Sequence, residues 1–468
     1  MERLHPHTLD RLPAGVQRPT FDRTQLRAGI VHLGIGAFAR AHLLPINDAA
    51  LAATGDLRWG VVGVSLRQPD TRDALQPQQG LYTLALRDEQ GTRLQVLGSL
   101  IGLLVAPDDA AAVVAQIAAP DTRIVSLTIT EKGYHAGPGS AALFICKALE
   151  RRRQAAGGGL TLMSLDNLPA NGTVLRRIVL EEAAALGDGL AGWIDTHCSF
   201  PCSMVDRIVP RTTDDDRSQV AAALGLQDAW PVVGEPFLDW AVEDRFVAGR
   251  PDWPAGGARF VDEAQPYEQL KLRMVNGSHS ALAYLGALAG IATVDQAVAD
   301  PALRGFIDAL MQREIEPTLP ALPGLDLAAY RQRMLQRFAN PALKHRLLQI
   351  AMDGSQKVPQ RWLNTVRDRL AASQPIDHLA LAVAAWLQFV EGRDALGREL
   401  PLDDPQAVGL RVAVGAPDGG LSFAPVFGDL VGHATFLAAV HKQRERLRAL
   451  GVRAALPSTL SHRGGGQG

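Results

Sequence analysis

The fold is decided by the stretch Gly29-Ile-Val-His-Leu-Gly-Ile-Gly-Ala-Phe-Ala-Arg-Ala-His42. A short apolar run leads into a glycine turn, and a helical pattern follows it. Gly34 permits the turn, Gly36 lets the main chain approach a pyrophosphate, and the small Ala39 lets helix and strand pack closely. Glycine turns after strands are also common in proteins that bind no nucleotide. The stretch therefore predicts a dinucleotide-binding βα unit if a second βαβ landmark follows.

A second apolar run, Trp59-Gly-Val-Val-Gly-Val-Ser65, supplies that landmark, and Leu66-Arg-Gln-Pro-Asp70 follows it. In such folds an acidic residue after the second strand accepts hydrogen bonds from the ribose 2′-hydroxyl of NAD. Asp70 is the candidate for this role. Arg67 and Arg72 lie beside it and would instead attract the 2′-phosphate of NADP. We expect NAD as the cofactor, and NADP stays open as the alternative.

Strand-like and helical runs alternate up to about residue 265. Two of the strand-like runs, Thr122-Arg-Ile-Val-Ser-Leu-Thr-Ile-Thr130 and Leu160-Thr-Leu-Met-Ser-Leu-Asp-Asn167, end on polar residues. Ligands of open parallel sheets bind outside the carboxyl ends of the strands, so we expect these two ends near cofactor and substrate. From Tyr267 onward the apolar spacing is helical. The sequence predicts an α/β protein with an N-terminal Rossmann-type doubly wound sheet domain, residues 1–265, and a mainly α-helical C-terminal domain, residues 266–468.

Length and composition limit the class of protein. The 468 residues exceed one ordinary core, and the 47% hydrophobic content is enough to bury two. The formal net charge of −2 gives no attraction for nucleic acid or an anionic membrane. Three cysteines indicate a reducing compartment. No segment has the form of a signal peptide, and the apolar helix at residues 379–390 is too short to span a membrane. We expect a soluble, cytoplasmic protein.

A second informative stretch is Leu270-Lys-Leu-Arg-Met-Val-Asn-Gly-Ser-His-Ser280. On an α-helix, with about 100° per residue, Asn276 lies roughly 140° and His279 roughly 80° around the axis from Lys271, so all three can face one cleft. A neutral lysine can take the proton of a secondary alcohol, while an amide and an imidazole hold the oxygen. The alternative is a solvated helix face that carries the same residues. The pattern favours an active site because a dinucleotide turn lies upstream.

Four motifs together resemble one known family, the polyol-specific long-chain dehydrogenases, or mannitol 2-dehydrogenase family. The resemblance covers nearly the whole chain in order. Within the family, the runs Asn340-Pro-Ala-Leu-Lys-His-Arg346 and Gln349-Ile-Ala-Met-Asp-Gly-Ser-Gln-Lys-Val-Pro-Gln-Arg361 are most similar to the fructuronate reductase branch. The four motifs are Gly34-Ile-Gly-Ala-Phe-Ala-Arg-Ala-His42, Thr128-Ile-Thr-Glu-Lys-Gly-Tyr134, Phe200-Pro-Cys-Ser-Met-Val-Asp-Arg207 and the run from Lys271 to His279.

The resemblance implies a role for each matching residue. Lys271 corresponds to the general base, and partial burial is expected to lower its pKa enough for that role. Asn276 and Asn167 correspond to the amides that hold the developing alkoxide, and His279 to the residue that orients the substrate hydroxyls. The further implied positions are Asp206 and Lys357 at the substrate, Glu268 as a proton relay, and Phe38 and Arg40 at the cofactor together with Gly34, Gly36, Ala39, Asp70 and Thr130.

The chain departs from the family pattern at three points. Ala39 stands where relatives commonly have a histidine. The loop His135-Ala-Gly-Pro-Gly-Ser140 is shorter than the family's loop, which predicts a more open cleft. Gln349 replaces an arginine found in mannitol dehydrogenases. Arg346 or Arg361 is then expected to meet a substrate carboxylate as a bidentate partner.

The predicted function is therefore NAD-dependent, metal-independent interconversion of D-mannonate and D-fructuronate. The expected partner is a small sugar acid or polyol, and the expected assembly is a monomer or weak homo-oligomer. One alternative is a mannitol or arabinitol dehydrogenase that acts on an uncharged polyol. Another is a dinucleotide-binding sensor without chemistry, which would not need Lys271, Asn276 and His279 together.

Two other enzyme classes each match one feature of the sequence. Tyr267-Glu-Gln-Leu-Lys271 has the Tyr-x-x-x-Lys spacing of short-chain dehydrogenases, but the N-terminal turn lacks that family's longer glycine spacing. A zinc-dependent alcohol dehydrogenase needs three or four metal ligands. The one cluster of that kind, His197, Cys198 and Cys202, lies beside an apolar turn. No metal is therefore expected.

Overall fold

The computed structural model describes residues 1–187, 189–323, 325–342 and 344–456. It divides into two compact units, Met1–Glu268 and Gln269–Gly468, which we call unit 1 and unit 2. All the named strands lie in unit 1. They are β1 (Ile30–Leu33), β2 (Val61–Ser65), β3 (Tyr82–Asp88), β4 (Gly91–Leu97), β5 (Leu100–Val105), β6 (Ile124–Leu127), β7 (Thr161–Ser164), β8 (Ser203–Asp206), β9 (Val232–Gly234), β10 (Asp239–Glu243) and β11 (Arg259–Val261).

The main sheet of unit 1 has five parallel strands in the order β5-β2-β1-β6-β7. β1, β2, β6 and β7 are buried along their whole length, as expected where helices cover both faces of a parallel sheet. After β1 the chain forms β2 and β5 on one side of this strand, and it then crosses back to form β6 and β7 on the other side. This reversal is the topological switch point of a doubly wound fold, and the predicted Rossmann-type domain is confirmed.

The register of the main sheet brings several strand ends together. Leu33, the last residue of β1, lies opposite Val64 of β2 and Leu127 of β6, and Leu127 lies opposite Ser164 of β7. The segments that follow β1, β2, β6 and β7 therefore leave the same edge of the sheet. These segments carry the glycine turn, Arg67 to Asp70, Thr130 and Asn167.

The structure contains two small sheets that the predicted alternation of strands and helices did not include. One has the order β4-β3-β9 and contains an antiparallel hairpin of β3 and β4, and the other has the order β11-β10-β8. The prediction of simple strand and helix alternation to residue 265 is therefore incomplete. Strand partners that are distant in sequence, such as β3 with β9, leave no local signature in the pattern.

The described residues of unit 1 also form nine α-helices. Its largest core cluster includes Trp59, Trp240 and Trp253, and a second cluster lies where the helices α4 to α7 pack. The helices are α1 (Ala37–Ala41), α2 (Leu43–Thr54), α3 (Asp70–Leu75), α4 (Ala110–Ala118), α5 (Ala141–Gln154), α6 (Asn171–Leu186), α7 (Leu190–His197), α8 (Asp214–Leu224) and α9 (Gln265–Leu270), the last of which crosses the division between the units.

Unit 2 is helical in its described residues, which confirms the predicted mainly α-helical C-terminal region. Three segments are π-helical: Lys271–Asn276, Met311–Ile315 and Pro359–Leu363. The α-helices are α10 (Gly277–Leu288), α11 (Val294–Ala299), α12 (Pro301–Leu310), α13 (Leu327–Phe338), α14 (Leu347–Ile350), α15 (Gly354–Val358), α16 (Asn364–Ala371), α17 (Asp377–Val390), α18 (Ala407–Val414), α19 (Ala424–Phe427) and α20 (Ala434–Ala455).

The centre of unit 2 is α17, against which α10 and α20 pack. Both α10 and α17 are buried almost all round, so the prediction of a buried core helix at residues 379–390 is confirmed. A search of the described residues finds no helix with the length and apolar character needed to cross a membrane.

Candidate active site

The glycine turn after β1 has the geometry that a dinucleotide requires. Gly34 has φ +91°, and a Cβ there would lie 2.1 Å from the carbonyl oxygen of Thr128. Only glycine fits that position. At Gly36 the nearest atom to an added Cβ is the Gly34 oxygen at 3.9 Å, so the main chain faces open space. The turn thus leaves room for a pyrophosphate against Gly36, and the residues present fit the predicted cofactor.

A chain of buried hydrogen bonds holds this turn in place. The Thr128 hydroxyl donates to the Gly34 carbonyl at 2.7 Å. His32 Nε2 lies 2.9 Å from the Thr128 hydroxyl, and His32 Nδ1 lies 2.8 Å from the Ser126 hydroxyl. Burial lowers the pKa of His32 to about 3, so the ring is neutral. The sequence analysis did not predict this supporting role, because the hydrogen bonds join strands that lie 94 residues apart along the chain.

A cleft of about 410 Å³ opens at the carboxyl ends of β1, β2 and β6, and we call it the dinucleotide cleft. Gly34 and Gly36 line it, as does Thr130, one of the predicted cofactor residues. The lining residues at the end of β2 and after it are 65–68 and Thr71. Asp70, the first residue of α3, is exposed and is not among the described residues that line the cleft. Its predicted contact with the ribose stays a prediction.

The remaining cofactor candidates take part in the packing of unit 1. Ala39 is fully buried in the core, as its predicted packing role requires. The half-buried ring of Phe38 stacks on His42 with ring centroids 5.1 Å apart. Arg40 is 1% exposed, and its guanidinium donates to the Trp230 carbonyl at 2.7 Å. The Arg40 side chain therefore supports the fold, and the cofactor contacts of Phe38 and Arg40 stay predictions.

Asp166 joins the segments that carry Thr130 and Asn167. Its carboxylate accepts hydrogen bonds from the main-chain N–H of Ile129 at 2.8 Å and of Thr130 at 3.0 Å, and from the Tyr134 hydroxyl at 2.7 Å. Burial raises the pKa of Asp166, and these three bonds oppose the rise. Asn167, the next residue, is exposed. One carboxylate thus holds the main chain at Ile129 and Thr130 next to the segment that carries Asn167.

Glu268 accepts a hydrogen bond from the segment that follows Asn167. Its Oε2 accepts from the main-chain N–H of Ala170 at 3.1 Å, and Ala170 has φ +48° at the start of α6. The buried side chain of Asn171 donates to the carbonyl of Asp166 at 3.1 Å. Glu268 therefore helps position the segment around Asn167, and its relay function stays a prediction.

Asp206 ends β8 and lies opposite Asp239 in the sheet. It is 7% exposed, and its predicted substrate contact stays a prediction. Arg207 is also buried, and its guanidinium donates to the carbonyls of Glu235 at 2.9 Å and of Ala41. Asp206 and Arg207 are thus buried in unit 1 and do not lie on its surface.

In unit 2 the helix that carries Lys271 differs from the prediction. Lys271–Asn276 is π-helical, and the N–H of Gly277 donates to the carbonyl of Leu272, five residues back. The angles predicted from an α-helix are therefore wrong for Lys271 and Asn276, because a π-turn contains more residues. Such turns frequently mark functional sites. Lys271 is 8% exposed, the burial that its predicted role requires.

His279, on α10, is held between two other rings. It stacks on Phe338 with centroids 5.0 Å apart and meets His345 edge to face at 5.1 Å. Burial, Arg337 and Lys357 lower the pKa of His345, which favours the neutral form of this ring beside His279. The imidazole of His279 is thus fixed in orientation, as the predicted substrate-orienting role needs.

Arg361 and Lys357 lie close to this helix. Arg361 Nη1 donates to the Ser280 hydroxyl at 2.7 Å and to the main-chain carbonyl of Asn276 at 3.3 Å. Burial lowers the pKa of Arg361 to about 10. Lys357, on α15, has its Nζ 3.3 Å from the Ile350 carbonyl, and burial followed by Arg361 lowers its pKa. Unit 2 thus holds a partly buried arginine beside Asn276 and a partly buried lysine that interacts electrostatically with this arginine.

Arg346 and Gln349 differ from these cations because both are exposed. Arg346 lies at the start of α14, and its main chain forms a bridge with Thr293. Of Arg346 and Arg361, it is Arg361 that donates hydrogen bonds to Asn276 and Ser280. The contact of Arg346 with substrate stays a prediction.

Comparison with known families gives the decisive observation. The family model for the mannitol dehydrogenase Rossmann domain matches residues 28–255, and that for the mannitol dehydrogenase C-terminal domain matches residues 263–447. The chain belongs to the mannitol dehydrogenase family. The predicted resemblance and the predicted enzyme class, a dehydrogenase, are confirmed.

Relatives within the mannitol dehydrogenase family match over almost the whole chain. D-mannonate oxidoreductase of Escherichia coli K12 is 40% identical, over 94% of this chain and 97% of its own length. Mannitol 2-dehydrogenase of Phaeosphaeria nodorum is 38% identical, over 94% of this chain and 82% of its own length. The solved ternary complex of Pseudomonas fluorescens mannitol 2-dehydrogenase with NAD and D-mannitol is 36% identical, with a TM-score of 0.82, and covers 97% and 98% of the two chains.

The family membership removes the short-chain dehydrogenase alternative based on Tyr267 and Lys271. The zinc alternative has no geometric support either. Among the described residues, no group of three or more His, Cys, Asp or Glu side chains is placed to hold a metal ion. Burial raises the pKa of Cys198 to about 11, which disfavours the thiolate that a metal needs.

Proposed function

We propose that this protein interconverts D-mannonate and D-fructuronate, with NAD(H) as the cofactor and Lys271 as the general base. The observation that carries the proposal is the pair of cations Lys357 and Arg361, with Arg361 3.3 Å from the carbonyl of Asn276. A sugar acid offers a carboxylate to such a pair. An uncharged polyol would leave both cations without an anionic ligand.

The electrostatics of this pair favour an anionic substrate. Burial disfavours the charged form of each side chain, and Arg361 further lowers the pKa of Lys357. Asp353 and Asp404 act in the opposite direction on Lys357, but Asp404 already accepts hydrogen bonds from Ser355. Charge-assisted hydrogen bonds to a partly buried carboxylate contribute about 2–4 kcal/mol. This corresponds to a preference of roughly 30- to 1000-fold over the uncharged ketose.

The mechanism assigns one task to each residue. In the oxidation, Lys271 Nζ accepts the hydroxyl proton of D-mannonate, and the C–O bond becomes a carbonyl. A dinucleotide held against Gly34 and Gly36 would supply the acceptor for the hydride that leaves the carbinol carbon. The amide of Asn276 and, by family resemblance, that of Asn167 stabilise the oxygen while its charge develops. His279, fixed by Phe338, orients the neighbouring hydroxyl, and Glu268 is proposed to pass the proton of Lys271 to solvent.

Overall identity does not choose between the substrates, because 40% to the mannonate enzyme and 38% to the mannitol enzyme are nearly equal. The test is the kcat/KM of the wild type for D-fructuronate and for D-fructose at a fixed NADH concentration. We expect D-fructuronate to be preferred by at least about 30-fold. Equal values, or a preference for D-fructose, would place the chain with the polyol dehydrogenases.

A matched pair of variants locates the cause of that preference. Lys357→Met removes a half-buried cation beside Arg361, whereas Lys442→Met removes an exposed one on α20. We expect Lys357→Met to reduce the preference for D-fructuronate at least tenfold and Lys442→Met to leave it unchanged. A preference that survives Lys357→Met intact would exclude this lysine as a carboxylate partner.

A further inference from the structure

We propose that the dinucleotide cleft binds NADP(H) as well as NAD(H), and that Arg67 is the residue that contacts the 2′-phosphate. The inference rests on the proposed function only in assuming a nicotinamide dinucleotide, and it is independent of the substrate.

The position of Arg67 is the first argument. Arg67 is the second residue after β2, and it lines the cleft together with Gln68 and Thr71. In doubly wound folds the segment after this strand faces the adenosine ribose, and an arginine there accommodates a 2′-phosphate. NAD-selective folds place a carboxylate at this point instead. None of the described side chains that line the cleft is a carboxylate.

The second argument is the difference in ion pairing between the two neighbouring arginines. Arg72 is ion-paired with Asp73 at 2.7 Å and with Asp108, so the donors of its guanidinium are already used by two carboxylates. Arg67 is exposed and makes no hydrogen bond or ion pair with the described residues. Its guanidinium therefore keeps its full charge and its fork of donors for a phosphate. Of the two arginines, the structure assigns the 2′-phosphate to Arg67.

If Asp70 selected NAD over NADP, its carboxylate would have to repel the 2′-phosphate of NADP. Asp70 begins α3 and is exposed, three residues beyond Arg67. An exposed carboxylate that does not line the cleft repels a phosphate weakly, because solvent ions screen the charges. The charge that distinguishes the two cofactors at the ribose is thus the positive charge of Arg67. This charge favours binding of both NAD(H) and NADP(H).

The test measures binding without turnover. The Kd values of NADH and NADPH are measured by fluorescence titration for the wild type, Arg67→Ala, Arg67→Lys and Arg72→Ala. Adenosine 2′,5′-bisphosphate and 5′-AMP serve as fragments that report on the ribose site alone. NADH affinity shows that each variant is folded.

We expect wild-type NADPH to bind no more than tenfold more weakly than NADH. Arg67→Ala should raise the ratio of the NADPH Kd to the NADH Kd at least tenfold, Arg67→Lys less, and Arg72→Ala by less than threefold. The bisphosphate should follow NADPH, and 5′-AMP should follow NADH. A larger wild-type penalty for NADPH, or a ratio unchanged by Arg67→Ala, overturns the inference. Failure of both dinucleotides to bind would instead overturn the proposed function.

Discussion

The carboxylate of Asp166 accepts a hydrogen bond from the main-chain N–H of Thr130 at 3.0 Å. Thr130 has φ +60°, a conformation that a threonine adopts only when its surroundings impose it. Asp166 also accepts from the neighbouring N–H of Ile129. One side chain after β7 therefore shapes the wall of the dinucleotide cleft after β6.

We predict that Asp166→Asn weakens NADH binding at least tenfold. An amide has one acceptor oxygen, and its NH2 group meets the main-chain donors of Ile129 and Thr130 with the wrong polarity, so bonds that contribute about 1.5–3 kcal/mol each are lost. Asp121→Asn, an exposed aspartate of the same unit, is the matched control. The measurement is the Kd of NADH by fluorescence. Unchanged affinity in Asp166→Asn would show that Thr130 holds its conformation without this carboxylate.

The two glycines of the turn should respond differently to alanine. Gly34→Ala would place a Cβ 2.1 Å from the Thr128 oxygen at φ +91°, so the free energy of unfolding should fall by at least about 2 kcal/mol. Gly36→Ala meets no protein atom closer than 3.9 Å, so stability should change little while NADH binds at least tenfold more weakly. Urea unfolding and NADH titration separate the two effects. Native NADH affinity in Gly36→Ala would mean that the pyrophosphate lies elsewhere.

Lys271→Ala should reduce kcat by about 10²–10⁴-fold, the usual loss when a general base is removed. The affinity for NADH should stay nearly intact, because the dinucleotide cleft belongs to unit 1 and Lys271 to unit 2. Added primary amines should restore part of the rate. Lys442→Ala serves as the control for the loss of a lysine. Turnover near the wild-type value at neutral pH would exclude Lys271 from this role.

His32 should make stability depend on pH. Its pKa is about 3 in the folded protein and 6.5 in the unfolded chain. Below pH 6.5 the unfolded state therefore binds more protons, and the free energy of unfolding falls as the pH drops from 6.5 toward 3, by up to about 1.4 kcal/mol per pH unit.

The experiment compares urea unfolding of the wild type and His32→Gln between pH 7 and pH 4.5. Gln keeps a donor for Thr128 but does not titrate. The difference between the two proteins cancels other groups, including Asp48, whose pKa burial raises to about 6 with the opposite effect on stability. We expect the wild type to lose more stability than the variant as the pH falls. Parallel curves would show that His32 is accessible to protons in the folded state.

The local sequence was sufficient to predict the structure at positions where the main-chain conformation admits only one type of residue. Gly34 could be placed in a turn because φ +91° and the approach of Thr128 admit no side chain. The buried β1 and β2 could be recognised because strands covered on both faces are mostly apolar. The same reasoning placed Thr130 and Asn167 at one edge of the sheet.

Tertiary structure alone decided which charged groups are available to a ligand. Arg72 is ion-paired with Asp108, 36 residues away, and Arg40 is buried against Trp230, 190 residues away. The π-turn that re-aims Lys271 and Asn276, and the bonds that hold Thr130 through Asp166, also left no mark in the local pattern. Periodicity and propensity report on neighbours along the chain, whereas these contacts join residues that only the packed fold brings together.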